Sequence, residues 1–418
     1  MKILIKFAEI VESDNRGVRK NILVEDGIIA RITDQEISAD MIVEGSGLVV
    51  SAGWFDLNAV VGDPGLEHKE DITSFCKAAA AGGFTEVACL PNTQPVVQSK
   101  DVIVYIKSKS AGEIVSIHPI AAVTLGNKGE ELAEMMDLHE AGAVAFSDGL
   151  NPIWHTDMLL KALQYTSKFG GVVIQRPEDR FLTAYGQMNE GRISTELGLK
   201  GIAPLAEEII VARDLKILEY AGGRLHFSLI STSSSLGLIK EARKRGLKVT
   251  CDVASYQLGL DDTCLTSFDT NYKVNPPLRD KKQIEALRKA LKEGLIDAVV
   301  SAHRPHETES KDLEFDLADF GMINLQTSFQ ALNTFGELST FDLVNRLCYK
   351  PREIAGLSIP RVKEGEKANL TVFEPDTDSV VGKEHILSKS KNSPFIGKKL
   401  KGRVAGVFNN SKFWINEG

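Results

Sequence analysis

The stretch Val49-Val50-Ser51-Ala52-Gly53-Trp54-Phe55 is a short, mostly apolar, strand-like run, and it is the first of eight along the chain. The others lie at 86–90, 116–122, 143–147, 171–175, 225–230, 247–253 and 297–301. The segments between them are helix-like; 73–81 and 281–292 are rich in Ala, Lys, Leu and Glu. Strands that alternate with helices are the mark of βα units around a parallel sheet. Eight such units fit an α/β protein of the (β/α)8 barrel type better than an open doubly wound sheet. No GxGxxG follows an early strand, so a dinucleotide-binding fold has no motif behind it.

Both ends of the chain read differently. Residues 2–8, 20–24 and 28–32 are strand-like, separated by the turn-like Ser13-Asp14-Asn15-Arg16-Gly17 and Glu25-Asp26-Gly27. Runs at 368–373, 403–408 and 413–415 repeat the style near the other end, with Asn409-Asn410-Ser411-Lys412 as a turn signal. The economical arrangement is one small β domain built from 1–48 and 362–418, with the barrel occupying 49–361.

The 418 residues can bury a large core, and 43% hydrophobic with 25% charged content is ordinary for a soluble protein. A formal net charge of −8 argues against a general nucleic-acid binder or a polybasic membrane contact. No window approaches a membrane span, and the first residues are too short and too alternating for a signal peptide. Five scattered cysteines without a CxxC pair exclude the common thiolate zinc motifs and suit free thiols in a cytoplasmic protein.

In such a barrel, chemistry sits at the C-terminal ends of the strands. There the string Ala52-Gly53-Trp54-Phe55-Asp56-Leu57-Asn58-Ala59-Val60-Val61-Gly62-Asp63-Pro64-Gly65 resembles the dihydroorotase opening P-G-hydrophobic-I-D-x-H-x-H-x-R-x-P-G. The likeness continues in order through Leu90-Pro91-Asn92-Thr93-Gln94-Pro95, His118-Pro119-Ile120, Phe146-Ser147-Asp148, Val274-Asn275-Pro276-Pro277, His303-Arg304-Pro305-His306 and Asn392-Ser393-Pro394-Phe395. It covers about residues 40 to 395 and resembles most the dihydroorotases that pair with aspartate carbamoyltransferase.

That family opens or closes a cyclic amide with zinc, which lowers the pKa of bound water from ~15.7 to about 7 and polarises the carbonyl. The resemblance places Asn58 and Val60 where the H-x-H ligands belong, Gln175 and Leu229 at the two later histidines, and Ala302 at the eighth-strand acid and general base. Asp148 stands as the one surviving acid, in a D-D-G that has become Asp148-Gly149-Leu150. Val and Leu have no lone pair to offer, so no zinc or other cofactor is expected. Of the eight histidines, only His303 and His306 are close in sequence; a relocated metal site would need them with His155 and Asp148, and loop histidines satisfied by hydrogen bonds are the simpler reading. His226, three residues before Leu229, lies too deep in the barrel to join them.

Asn92, Asn275 and His306 fall where the family contacts substrate, whereas its carboxylate-clamping Arg has become Gly62, which cannot offer a bidentate fork. Arg176 and Arg304 are new cations near the mouth. The resemblance implies a homodimeric, catalytically silent homologue that partners aspartate carbamoyltransferase in pyrimidine synthesis. The alternatives are an active dihydroorotase, or a binder of a pyrimidine-like anion near Arg304 and His306.

Overall fold

A computed structural model describes residues 1–12 and 17–416, so the turn expected at 13–17 lies outside the described residues except for Gly17. Eight parallel strands follow one another in sequence order around a barrel: Trp54–Ala59, Phe84–Cys89, Ser116–Ala121, Ala145–Phe146, Val173–Gln175, Leu225–Phe227, Val249–Ala254 and Ala298–Val300. An Ala59–His303 bridge closes the seam between last and first, and the Val60 N–H donates to the His303 carbonyl at 2.9 Å. Beneath it the buried Asp56 carboxylate accepts from the Ser301 N–H at 2.9 Å and from the Ser301 hydroxyl.

Alternation along each strand divides the core in two. Phe55, Ala88, Ile120, Ile174 and Val300 fill the barrel, while Val87, Val173, Phe227 and Val299 face the surrounding helices. The helices begin where the sequence offers caps: Asp71 accepts from the Ser74 N–H at 2.9 Å ahead of Ile72–Ala81, and Asp280 from the Gln283 N–H at 3.0 Å ahead of Lys281–Lys292. Among the described residues no helix is long and apolar enough to cross a membrane.

The terminal segments form an eight-stranded sheet in which Leu370–Val380 lies between Val49–Ala52 and Lys399–Asn409, and Val49–Ala52 lies next to Lys2–Val11. Its hairpins close with left-handed residues, Asp26-Gly27 (φ 50° and 79°) and Asn410-Ser411 (φ 52° and 57°), the conformation that matches strand twist in two-residue turns. This topology corrects the expected first run. Residues 49–55 are two strands in two sheets, and the barrel starts at Trp54 rather than Val49. Gly53 is the switch point, where a Cβ would lie 2.1 Å from Asn369 Oδ1 and 2.2 Å from Thr85 Oγ1. Hydrophobic alternation does not register a change of partner sheet, which is why the sequence reads as one run.

Trp54 joins the two domains. It is fully buried, its ring lies 4.9 Å from that of Phe329 and 5.0 Å from that of Phe373, and its Nε1 donates to Ser51 Oγ at 3.1 Å. Trp54→Ala is expected to cost about 3–5 kcal/mol, read as a lower urea midpoint at unchanged slope.

Candidate functional site

The mouth of the barrel is lined by Asn58, Ser147, Arg176, Ser228, Leu229 and Arg304 over an apolar floor of Leu90 and Ile174. Strand alternation decides which side chains arrive there. On the fifth strand Val172 and Ile174 point inward and Val173 outward, so Arg176 reaches the mouth and Gln175 does not. Gln175 instead turns to the helix layer. Its Oε1 accepts from the Ile153 N–H at 2.9 Å, and its Nε2 donates to Asp214 Oδ2 at 2.8 Å. The side chain that this strand sends to the mouth is therefore Arg176 and not the expected Gln175.

Asp148 is likewise absent from the mouth. Its carboxylate accepts from the backbone N–H groups of Val123 at 3.1 Å and Thr124 at 2.9 Å, and from the Thr124 hydroxyl at 2.6 Å. Ser147 and Gly149 face inward in its place. The acid thus braces the loop after the third strand and is not poised as a ligand. Burial pushes it up to about 6, against the hydrogen bonds from Thr124 and Val123.

Below the arginines lies a buried polar knot. Asp252 accepts from His226 Nε2 at 2.9 Å, from Ser228 Oγ at 3.0 Å and from the Leu229 N–H at 2.6 Å, and Asn58 Nδ2 donates to Ser228 Oγ at 2.8 Å. The serine bonds the aspartate and not the histidine, so this is no nucleophile–base pair; it fixes the strand ends that carry Asn58 and Leu229. Leu229 (φ 61°) and Ala302 (φ 49°) are both buried in the left-handed region, a costly conformation for residues with a Cβ. Val60 is half-buried and packs against the inner core.

The three expected substrate contacts stand on separate walls. Asn92 Oδ1 accepts from the Leu150 N–H at 2.9 Å and fills the space where a Cβ on Gly149 would be. Asn275 Nδ2 donates to both oxygens of Glu178 at 3.2 Å. His306 lines an outer groove, its Nε2 against the Phe320 carbonyl at 3.1 Å and its Nδ1 3.4 Å from Lys69 Nζ. Burial, with Lys69 beside it, pushes His306 down to about 4, so its ring is neutral at pH 7. His303 sits apart, its Nδ1 accepting from the Asn324 N–H at 3.2 Å and its Nε2 3.6 Å from Glu70. At Gly62 (φ 80°) a Cβ would stand 2.6 Å from the Glu70 carbonyl oxygen, so this backbone cannot take an arginine there.

The donor set does not fit zinc. Of the side chains at the ligand positions that the resemblance implies, only Asn58 offers a free oxygen, Oδ1, and two guanidinium cations share the cavity with it. Among the described residues no group of three or more His, Cys, Asp and Glu is placed to hold a metal ion. The arginines came to notice in the sequence only as loose cations. Counting the in–out alternation onward from Ile174 is the signal that assigns Arg176 to the mouth.

A closed parallel barrel with a terminal β sheet and a cavity at the strand ends is the architecture that defines the fold class of this protein. Solved structures share that fold: an L-hydantoinase (dihydropyrimidinase) from Arthrobacter aurescens superposes with a TM-score of 0.86 at 23% identity, over 100% of this chain and 96% of that one. A dihydropyrimidinase from Brevibacillus agri gives 0.82 at 21% identity, over 100% and 95%. Residues 47–235 match the family model described as Dihydro-orotase-like. A dihydroorotase of Citrifermentans bemidjiense is 41% identical over 413 residues, 97% of each chain, and one of Acetivibrio thermocellus is 41% identical over 423 residues, 99% of each. The chain belongs to the dihydroorotase family.

The raised Asp148 gives a signed pH prediction. Its folded value of about 6 lies above the unfolded 3.8, so the stability it contributes is full below about pH 4 and is lost as pH rises through 6. Asp148→Asn removes that dependence. The difference in unfolding free energy from urea melts, wild type minus variant, is expected to fall by on the order of 3 kcal/mol between pH 4 and pH 7; a constant difference refutes it.

Proposed function

We propose that this chain is a non-hydrolytic member of the dihydroorotase family, serving pyrimidine biosynthesis as a structural or regulatory partner of aspartate carbamoyltransferase. The observation that carries this reading is the set Asn58, Val60, Arg176, Leu229 and Ala302 at the strand ends where the family's ligands would stand. A divalent cation brought there meets two guanidinium groups, and the carboxylate beside them, Glu178, is already paired with Arg176. Without metal, water keeps a pKa near ~15.7, and the Ala302 methyl is no base to activate it.

A partner is supported by the loop that follows the fifth barrel strand. It exposes Phe181, Leu182 and Tyr185, and the Asp179 N–H ties it at 2.9 Å to the Ala206 carbonyl, in a helix that also exposes Leu205 and Ile209. Apolar side chains gathered this way on a surface suit a protein contact. The same reading carries a homodimer of the chain.

One observation favours an active dihydroorotase instead: 41% identity across 97% of the chain to a protein of that name. Metal analysis and a ring-opening assay on the purified full-length chain separate the two. Zinc far below one per chain and no turnover of dihydroorotate are expected; stoichiometric zinc with turnover overturns the non-hydrolytic reading. Co-purification and light scattering with aspartate carbamoyltransferase from the same organism are expected to give a complex. Transferase assembly and activity that are unchanged without this chain would sink the partner role.

A further inference from the structure

We infer that the barrel mouth is an anion site, in which Arg304 and Arg176 receive a compact carboxylate or inorganic oxyanion. The argument starts from charge. Arg304 and Arg176 are 6% and 7% exposed, and both line the same small cavity. Arg176 is partly answered: its Nη2 lies 2.8 Å from Glu178 Oε2, and its Nη1 donates to the Leu150 carbonyl. Glu178 is already engaged by Asn275 as well. Arg304 has no such answer. Among the described residues no carboxylate lies within ion-pair distance of it, its Nε is buried without a protein partner, and so is Arg176 Nε.

Two guanidinium groups against one carboxylate leave a net positive charge at a nearly buried position. An unpaired buried charge is costly, and it is relieved by an opposite charge or by hydrogen bonds. Among the described residues none is placed to pair with Arg304 and its Nε has no partner, so the counter-charge comes from solution. The free donors set its chemistry, since the edge of a guanidinium matches two oxygens of a carboxylate or phosphate. The enclosed space between Asn58, Ser228 and the arginines admits no water-sized sphere, and its floor is Leu90, Ile174 and Leu229. The ligand group is therefore small, and it enters by displacing the long arginine side chains rather than by filling a ready cavity.

This inference rests on the metal-free reading of the mouth, because a bound divalent cation would occupy the same space. The test is thermal shift and calorimetry on the full-length protein, with zinc measured on the same sample. Phosphate, acetate and orotate are titrated at constant ionic strength against a chloride baseline, using wild type, Arg304→Met, Arg304→Lys and the exposed control Arg192→Met.

Saturable stabilisation of wild type and of Arg192→Met is expected. Saturation by phosphate alone identifies an inorganic oxyanion, and saturation by acetate or orotate alone a carboxylate. Arg304→Met is expected to bind at least about tenfold more weakly and, in the chloride baseline, to melt no lower than wild type, since it removes an unpaired buried charge. If Arg304→Met fails to fold, the same loss of affinity is read in Arg304→Lys, which keeps the charge without the fork. No saturable response in wild type, or an equal response in wild type and the Arg304 variants, overturns the inference. Stoichiometric zinc overturns the metal-free reading itself, so the two failures are distinguishable.

Discussion

Everything at the mouth depends on how the barrel is sewn shut. The seam is short, and its anchor is the carboxylate of Asp56, which holds the first strand to the Ser301 backbone and hydroxyl of the eighth. Burial pushes Asp56 up to about 7, against its bonds from Ser301, so the seam works with a group on the edge of protonation. From that anchor the two strands leave in register, and Val60, Ala302, His303 and Arg304 take their places in order. The backbone of the mouth is thereby fixed independently of the side chains that stand on it.

That separation of frame from chemistry shows at Leu229 and Ala302. Both hold left-handed backbone inside a core, where residues with a Cβ are disfavoured. Strain of this kind persists when the surroundings over-determine it. At Leu229 the surroundings are visible, because its N–H is held by Asp252, which His226 and Ser228 also engage.

The barrel, the terminal sheet and the family were legible in the sequence, because alternation and ordered strand-end motifs report on burial and backbone. What was not legible depended on direction. Gln175 and Asp148 sit one residue from the mouth, and a strand sends neighbouring side chains to opposite faces, so a shift of one position changes a ligand into a brace. The boundary at Gly53 was hidden for a related reason: both sheets it joins bury the same kinds of residue. Asn92, Asn275 and His306 were legible as family positions, but the partners that engage the two asparagines, Leu150 and Glu178, lie far off in sequence, and the Phe320 carbonyl reaches His306 only across a folded loop.

The terminal sheet has a consequence for how the chain is made. Val49–Ala52 pairs with Leu370–Val380, more than three hundred residues later. During synthesis the early strands can pair with one another, but the far edge of Val49–Ala52 leaves the ribosome long before Leu370–Val380 exists and waits open while the whole barrel emerges. Such distant pairings are slow to form, and an unpaired edge invites association with other chains. The order of events is thus written into the topology: the barrel can assemble as it appears, whereas the small domain is completed last, when the far end of the chain returns to cover its beginning.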